Sequence, residues 1–357
     1  MLMRGRTGLA LAAWAGLIAA GCSKTGDDAG PSSGRSAGGD ARPRLLLITN
    51  GNSDWWSAVE KGMKDGGEKF AANAEMKRND GSVSGQIRLL EEALSSSDVR
   101  GVAVSVLEPE ASGILKAMRK LKDSGKKVIT IDSDVATASA EVRSAYIGTN
   151  NAKAGESAGK AAAALRPQGG KVAAFVGTAS AANARDRLEG FYTGAGPKFV
   201  RPPVEIFEDQ ADMNKARSFA QIAITKHPDA GLMLGLYSYN APRIADEVSK
   251  VPEFRKKTTV VTFDLDEQAV DHLEKGNIDA SVCQNPYEIG YRAVRLLRAM
   301  AGDDKATVDE MLPKGETTID TGVRVIVPTA ESPVKGDDVI TVKGMKEWLA
   351  SKGLKSS

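Results

Sequence analysis

The chain is 357 residues long and carries 48 Lys and Arg against 46 Asp and Glu, so its charge advertises no basic face for nucleic acid and no long single-sign run appears. Hydrophobic residues make up 41% and charged residues 26%, ordinary proportions for a soluble globular protein, and the length suits two domains better than one. Two cysteines, Cys22 and Cys283, and two histidines, His227 and His272, leave a disulfide framework, a structural zinc site and triad chemistry without residues to draw on; no metal or cofactor is expected.

Residues 1–21 place Arg4 and Arg6 ahead of the apolar stretch Leu9 to Ala20, the shape of a secretory signal and too short for a transmembrane span. From Ser23 to Arg42 the composition turns to Gly, Ser, Ala, Asp and Lys with no apolar period, so residues 22–42 read as a flexible linker. Leu45 to Trp56, LLLITNGNSDWW, is a strand feeding a helix. Ser53 and Asp54 are N-cap residues, and Trp56, Val59, Met63 and Phe70 recur at helical spacing. The turn between them lies at the carboxyl end of a strand, where open α/β folds bind ligands. Trp55 and Trp56 point about a hundred degrees apart on that helix, which disfavours both being core; each reads as core or as a stacking platform.

The pattern of strand then amphipathic helix repeats. Val83, Ile87, Leu90 and Leu94, then Ile114, Met118 and Leu121, mark helices; Gly101 to Val106 and Lys127 to Asp132 mark strands. After the short strand in Ser144 to Asn151 and the Ala-rich helix Lys153 to Leu165, a second set of strands follows: 171–178, 204–209, 231–237, 259–264 and 279–284, then a helix from Pro286 to Met300. Alternating βα units imply parallel sheets covered on both faces: an α/β fold of two doubly wound modules in tandem. The tail from Val339 reads as a strand or linker plus a terminal amphipathic helix and carries no obvious chemistry.

Five strand ends are polar: Asp54 with Trp55 and Trp56; Asp132 with Ser133 and Asp134; Arg185 after Gly177 and Thr178; Asp264 after Phe263; Gln284 with Asn285. Each alone is an ordinary turn former or helix cap. Together they are a set of carboxylates, a guanidinium and amides beside aromatic rings, which suits vicinal hydroxyls because each hydroxyl donates and accepts.

Two resemblances add to this reading. Ile18 to Cys22, IAAGC, resembles the cleavage box of bacterial lipoproteins, with Ala19 where leucine is preferred; it implies lipidation of Cys22, with plain cleavage and secretion as the alternative. From about Arg44 to about Val327 the chain resembles the ribose-binding branch of periplasmic sugar-binding proteins of ABC transporters, through VITIDSD, GTASAANARDRLEGF (Gly177 to Phe191), KHPDAGLML, VVTFD and DASVCQNPYEIGYRAV. The resemblance implies two lobes joined by a three-strand hinge near Thr149, Asn285 and Gly322, with the ligand in the cleft. It implies an N-terminal lobe of residues 43–148 and 285–321, a C-terminal lobe of 149–284 and 322–333, and an extension of 334–357. It implies that Trp55 and Trp56 sandwich a sugar ring and that Asp132, Arg185, Asp264 and Gln284 bind its hydroxyls. Where ribose binders carry Asp-Arg this chain has Asp132-Ser133; Met213 stands for a ring-contacting Phe, and Leu236 and Tyr237, with Asn240 nearby, stand for an Asn.

The function implied is an extracytoplasmic, lipid-anchored solute-binding protein that captures a pentose or hexose by hinge closure and hands it to a permease, without nucleic acid as a partner and without catalysis. Two alternatives stay open: a ligand-binding sensor for a membrane receptor, and a glycoside hydrolase using Asp132 and Asp264 as its carboxylate pair.

Overall fold

The computed structural model describes residues 42–135 and 139–356; the leader, Cys22 and nearly all of the linker lie outside the described residues. The apolar runs form strands and the periodic segments form helices, alternating from β1 to α8. The first strands and helices are β1 (Arg44–Ile48), α1 (Trp55–Lys69), β2 (Asn73–Lys77), α2 (Val83–Ser95), β3 (Val99–Val104), α3 (Ser112–Asp123), β4 (Lys127–Ile131), α4 (Ser139–Val142) and β5 (Tyr146–Gly148). There follow α5 (Asn151–Leu165), β6 (Lys171–Val176), α6 (Ala182–Ala195), β7 (Glu205–Glu208), α7 (Met213–Lys226), β8 (Ala230–Gly235), α8 (Asn240–Ser249), α9 (Pro252–Arg255), β9 (Thr259–Phe263), α10 (Glu267–Glu274) and β10 (Ala280–Cys283). The chain closes with α11 (Pro286–Ala301), α12 (Lys305–Met311), β11 (Thr318–Asp320), β12 (Arg324–Val327), β13 (Val339–Thr341) and α13 (Val342–Ser351).

Two sheets result, a six-stranded one in the order β11-β5-β4-β3-β1-β2 and a seven-stranded one in the order β13-β12-β10-β9-β8-β6-β7. All pairings are parallel except β10 with β12. Successive side chains on a strand point to opposite faces, and β1 shows the result: Leu45 and Leu47 enter one core with Val59 and Met63 of α1, while Leu46 and Ile48 enter another with Leu90 of α2 and Met118 of α3. The second sheet is likewise covered on both faces. The protein therefore has two α/β lobes. Among the described residues no helix is long and apolar enough to cross a membrane.

The chain passes between the sheets three times: after β5 into α5, after β10 into α11, which packs on α1, and between β11 and β12. The first and third passages lie side by side, because Thr321 donates its backbone N–H (2.9 Å) and its hydroxyl (3.2 Å) to the Gly148 carbonyl. The strands missed by periodicity are β2, β11 and β12. The segment from Val339 is the edge strand and covering helix of the second sheet, joined parallel to β12.

Each lobe is built on one helix pair in which glycines let backbones touch, the close approach only a residue without a Cβ permits. In the first lobe a Cβ at Gly62 of α1 would run into the Tyr287 carbonyl of α11, and one at Gly290 into the Val59 carbonyl. In the second, a Cβ at Gly155 of α5 would meet the Arg187 carbonyl of α6, and one at Gly190 the Ala152 carbonyl. Gly155→Ala should therefore push α6 away and cost about 1–3 kcal/mol, as overpacking does; a thermal midpoint lowered by several degrees is expected (roughly 2–4 °C per kcal/mol at this size), and an unchanged midpoint would contradict the contact.

Candidate functional site

Both sheets present their carboxyl strand ends, and both reverse strand order beside their first strand, at β1/β3 and at β6/β8, the point where ligands bind in open α/β sheets. In the first lobe this point is clamped by Gln86 of α2, wholly buried. Its amide donates to the carbonyls of Thr49 (3.0 Å) and Ser105 (2.7 Å), and its oxygen accepts from the Leu107 N–H (3.0 Å). The clamp fixes Ser105, whose hydroxyl donates to Asp132 Oδ2 at 2.8 Å. Asn50 reaches the same oxygen at 3.5 Å, the outer limit for such a bond. Oδ1 of Asp132 accepts nothing among the described residues.

Asp132 and Asp264 occupy equivalent places, immediately beyond β4 and β9, and both adopt left-handed backbone angles, φ 58° and φ 59°. Aspartate tolerates that region better than most residues, yet non-glycine residues rarely adopt it, and such outliers cluster at functional sites. Burial pushes the Asp132 carboxyl up to about 6, against the Ser105 hydrogen bond and the charge of Arg187, with the charge of Asp264 adding to the rise. Burial also raises Asp264, opposed by Arg187 and by the hydrogen bonds from Gln284. Asp264 is 4% exposed; Gln284 donates to it through its backbone N–H (3.3 Å) and its amide (3.1 Å to each oxygen). The two lobes thus sense each other's charges.

The arginine at the centre is Arg187, two residues beyond the one expected. Arg185 lies exposed on α6, whereas Arg187 is 2% exposed. Residues two apart on a helix point some two hundred degrees apart, and the seam of α6 that faces inward runs through Ala184, Arg187 and Phe191, a spacing of three and four that selects Arg187 in the sequence itself. Its Nη1 donates to the Leu236 carbonyl (2.6 Å) and its Nε to Asn151 Oδ1 (2.9 Å). The guanidinium stacks 4.7 Å from the Phe263 ring and 5.4 Å from the Tyr237 ring. Nη2 makes no hydrogen bond among the described residues. Arginine has donors to spare in this arrangement.

The remaining expected residues divide. Trp56 is core, 2% exposed and packed with Leu45, Val59 and Met63, because it begins the 56, 59, 63 stripe of α1. Trp55 is half-buried and meets Trp56 edge-on at 4.9 Å; its indole N–H is sealed from solvent with no acceptor among the described residues. Asn240 is not available to a ligand: wholly buried, it donates to Asp209 Oδ2 at 2.5 Å and accepts from the Tyr237 N–H at 3.2 Å. Tyr237 stands beside Arg187, its hydroxyl donating to Asn183 Oδ1 at 2.7 Å. Ser133 is half-buried, and Met213, the first residue of α7, is 57% exposed. Ser105, Asn151, Asn183 and Arg187 were not singled out from the sequence.

Among the described residues no group of three or more His, Cys, Asp or Glu side chains could hold a metal ion. The site offers instead a carboxylate with an unfilled oxygen, a guanidinium with an unused nitrogen, and an aromatic edge with an unpaired donor.

A family model described as a periplasmic binding protein domain matches residues 45–305. Among solved structures, the chain is similar to GanP, a glucose-galactose binding protein from Geobacillus stearothermophilus, at 26% identity and a TM-score of 0.70, over 81% of this chain and 99% of that one. It is similar to an ABC transporter solute-binding protein from Burkholderia graminis C4D1M in complex with D-arabinose, at 26% identity and a TM-score of 0.71, over 81% and 96%. The fold is shared with AraP, an arabinose binding protein from Geobacillus stearothermophilus, at 24% identity and a TM-score of 0.68, over 80% and 97%. Comparison with curated proteins finds no match.

The ionisation of Asp132 gives the site a pH signature. Ionised, the carboxylate offers acceptors on both oxygens; protonated, it loses acceptor capacity and becomes a donor. With its value raised to about 6, acceptor capacity is fully present above that pH and is lost as pH falls through it. Ligand affinity should fall on acidification with a midpoint near 6, and Asp132→Asn should remove the inflection; titration calorimetry between pH 4.5 and 8 checks this, and a flat profile in the unmodified protein would refute it.

Proposed function

The chain belongs to the periplasmic binding protein family, and on that premise we propose that it captures a monosaccharide by closure of its two lobes and delivers it, chemically unchanged, to the permease of an ABC transporter. One observation carries the reading: the polar set is divided between the lobes. Asp132 and Ser105 follow strands of the first sheet; Arg187, Tyr237, Asp264 and Gln284 belong to the second. Neither lobe alone holds a complete set, and a polyhydroxylated ring fits between them, since a hydroxyl can donate to Asp132 and accept from Arg187 at once. A half-buried Trp55 supplies an apolar face and a donor at its edge. The sugars named for the Geobacillus and Burkholderia proteins set the class of ligand to test.

Binding rather than turnover accounts for the carboxylates. Both oxygens of Asp264 accept from Gln284, which orients the group as a fixed acceptor. The protein works outside the cytoplasm, held by a lipid on Cys22 through the 23–42 tether, so Cys22→Ala should move it from the membrane to the soluble fraction.

Titration calorimetry against D-glucose, D-galactose, D-arabinose, D-xylose and D-tagatose is the direct test. At least one should bind. Hydrogen bonds to charged groups are worth about 1.5–3 kcal/mol, so Arg187→Ala should weaken binding by one to two orders of magnitude, roughly, at 1.4 kcal/mol per decade. Arg185→Ala should leave it within about twofold, as a surface substitution does. No binding to any monosaccharide, or release of sugar from glycosides by the pure protein, would sink the reading.

A further inference from the structure

Trp348 lies on α13, which is rooted in the second lobe through Val342, Met345 and Leu349 in the core beside β9 and α10. The indole reaches out of that lobe. It meets Tyr287 edge-on, ring centroids 6.3 Å apart at 85°, and carries the Arg324 guanidinium 4.8 Å from its own centroid. One turn on, Lys352 Nζ stands 4.4 Å from the Tyr287 ring.

The positions of these partners matter. Tyr287 is the second residue of α11, just past the second passage between the lobes; Arg324 is the first residue of β12, just past the third. Tyr287 is fixed to the first lobe: its carbonyl fills the space a Cβ at Gly62 would need, and its hydroxyl donates to Asp65 Oδ2 of α1 at 2.9 Å. Burial raises the Asp65 carboxyl, but the hydrogen bonds from Lys61 and Tyr287 and the charges of Lys61 and Lys352 bring it below the usual range. The end of α13 therefore touches the residues that follow two of the three hinge passages: Tyr287 of the first lobe, through the Trp348 edge and the Lys352 cation, and Arg324 of its own lobe, whose cation lies over the indole.

We propose that Trp348, assisted by Lys352, is a positioning residue for ligand capture, bracing the hinge in the closed arrangement. The inference rests on capture by closure. The contact itself spans the lobes: the indole and Lys352 come from the second, and the Tyr287 ring they meet is anchored to α1 of the first. On this proposal, opening turns α11 against β12 and parts Tyr287 from the indole. A contact made in one of two forms biases their equilibrium by its own free energy, and the competent fraction scales the apparent affinity. Aromatic and cation–π pairs of this kind are each worth a factor of roughly two to ten.

The test compares Trp348→Ala, Trp348→Phe and Leu349→Ala with the unmodified protein, using whichever of the five sugars above binds it. Trp348→Ala should weaken affinity about fivefold and enlarge the ligand-free radius of gyration in small-angle scattering, while the saturated radius stays that of the unmodified protein. Trp348→Phe, which keeps an aromatic edge, should restore most of the affinity. Leu349→Ala, a core truncation on the same helix, should lower the thermal midpoint without changing affinity or radius. Trp348→Ala that behaves like Leu349→Ala overturns the proposal and leaves the sugar-binding reading intact. If no sugar binds the unmodified protein, that reading falls, and an unchanged ligand-free radius in Trp348→Ala overturns the brace as well.

Discussion

Withdrawing carboxylates from water is costly unless a partner or a proton compensates them, and this molecule does so with two of them, Asp264 buried and Asp132 half-buried, on opposite sides of a cleft with Arg187. That constraint explains much around them. Asp264 is held by the amide and backbone of Gln284, Asp132 by the Ser105 hydroxyl alone at close range. The imbalance leaves Asp132 the group with most to gain from a hydroxyl donor, and it is the one on the lobe that lacks the arginine. The free energy that draws a sugar into the cleft and the free energy that closes the lobes are then one quantity. A ligand can shift that equilibrium only by its differential affinity for the two forms.

The framework serves to place Arg187. Its carbonyl lies where α5 and α6 touch through Gly155, its Nε is held by Asn151 at the start of α5, and its Nη1 by the carbonyl at the end of β8. Asn151 follows the first hinge passage directly. The arginine is thereby referenced to the second sheet, to its covering helix pair and to the hinge at once. A flexible side chain with its rotamers locked in this way loses less entropy when a ligand arrives. The first lobe repeats the plan, with α1 against α11 and Gln86 clamping the strand ends that carry Asn50 and Ser105. The covering of the hinge by α13 adds a link between lobes that lies beyond the matched family region, residues 45–305.

Much of this was legible in the sequence because it rests on local patterns. Strand then helix, repeated, yields two sheets, and the places of Asp132, Asp264 and Gln284 at strand ends follow from that pattern. Choices between neighbours were harder. Trp55 and Trp56 look alike until the 56, 59, 63 stripe is followed, and Arg185 and Arg187 until the stripe of Ala184 and Phe191 is. In each case the residue in register with the apolar seam is buried, and only tertiary packing decides whether burial means core, as for Trp56, or a shielded charge, as for Arg187. Asn240 could not be read at all, because its partner Asp209 comes from another βα unit. The strands β11 and β12 are three and four residues long and pair with strands far away in sequence, β5 and β10, so no periodicity announces them; the segment from Val339 reads as a strand or linker, but its place beside β12 depends on that hidden strand.

The central claim is that Asp132 and Arg187, on different lobes, act on one ligand. A double-mutant cycle on sugar affinity isolates that coupling: Asp132→Asn, Arg187→Lys and the double variant, each measured by titration calorimetry with the sugar that binds the unmodified protein. If the sugar bridges the two groups, the sum of the single losses will exceed the loss in the double variant, with a coupling of about 1 kcal/mol or more. Losses that add to within about 0.5 kcal/mol, the behaviour of independent sites, would mean that the two charges do not share a ligand.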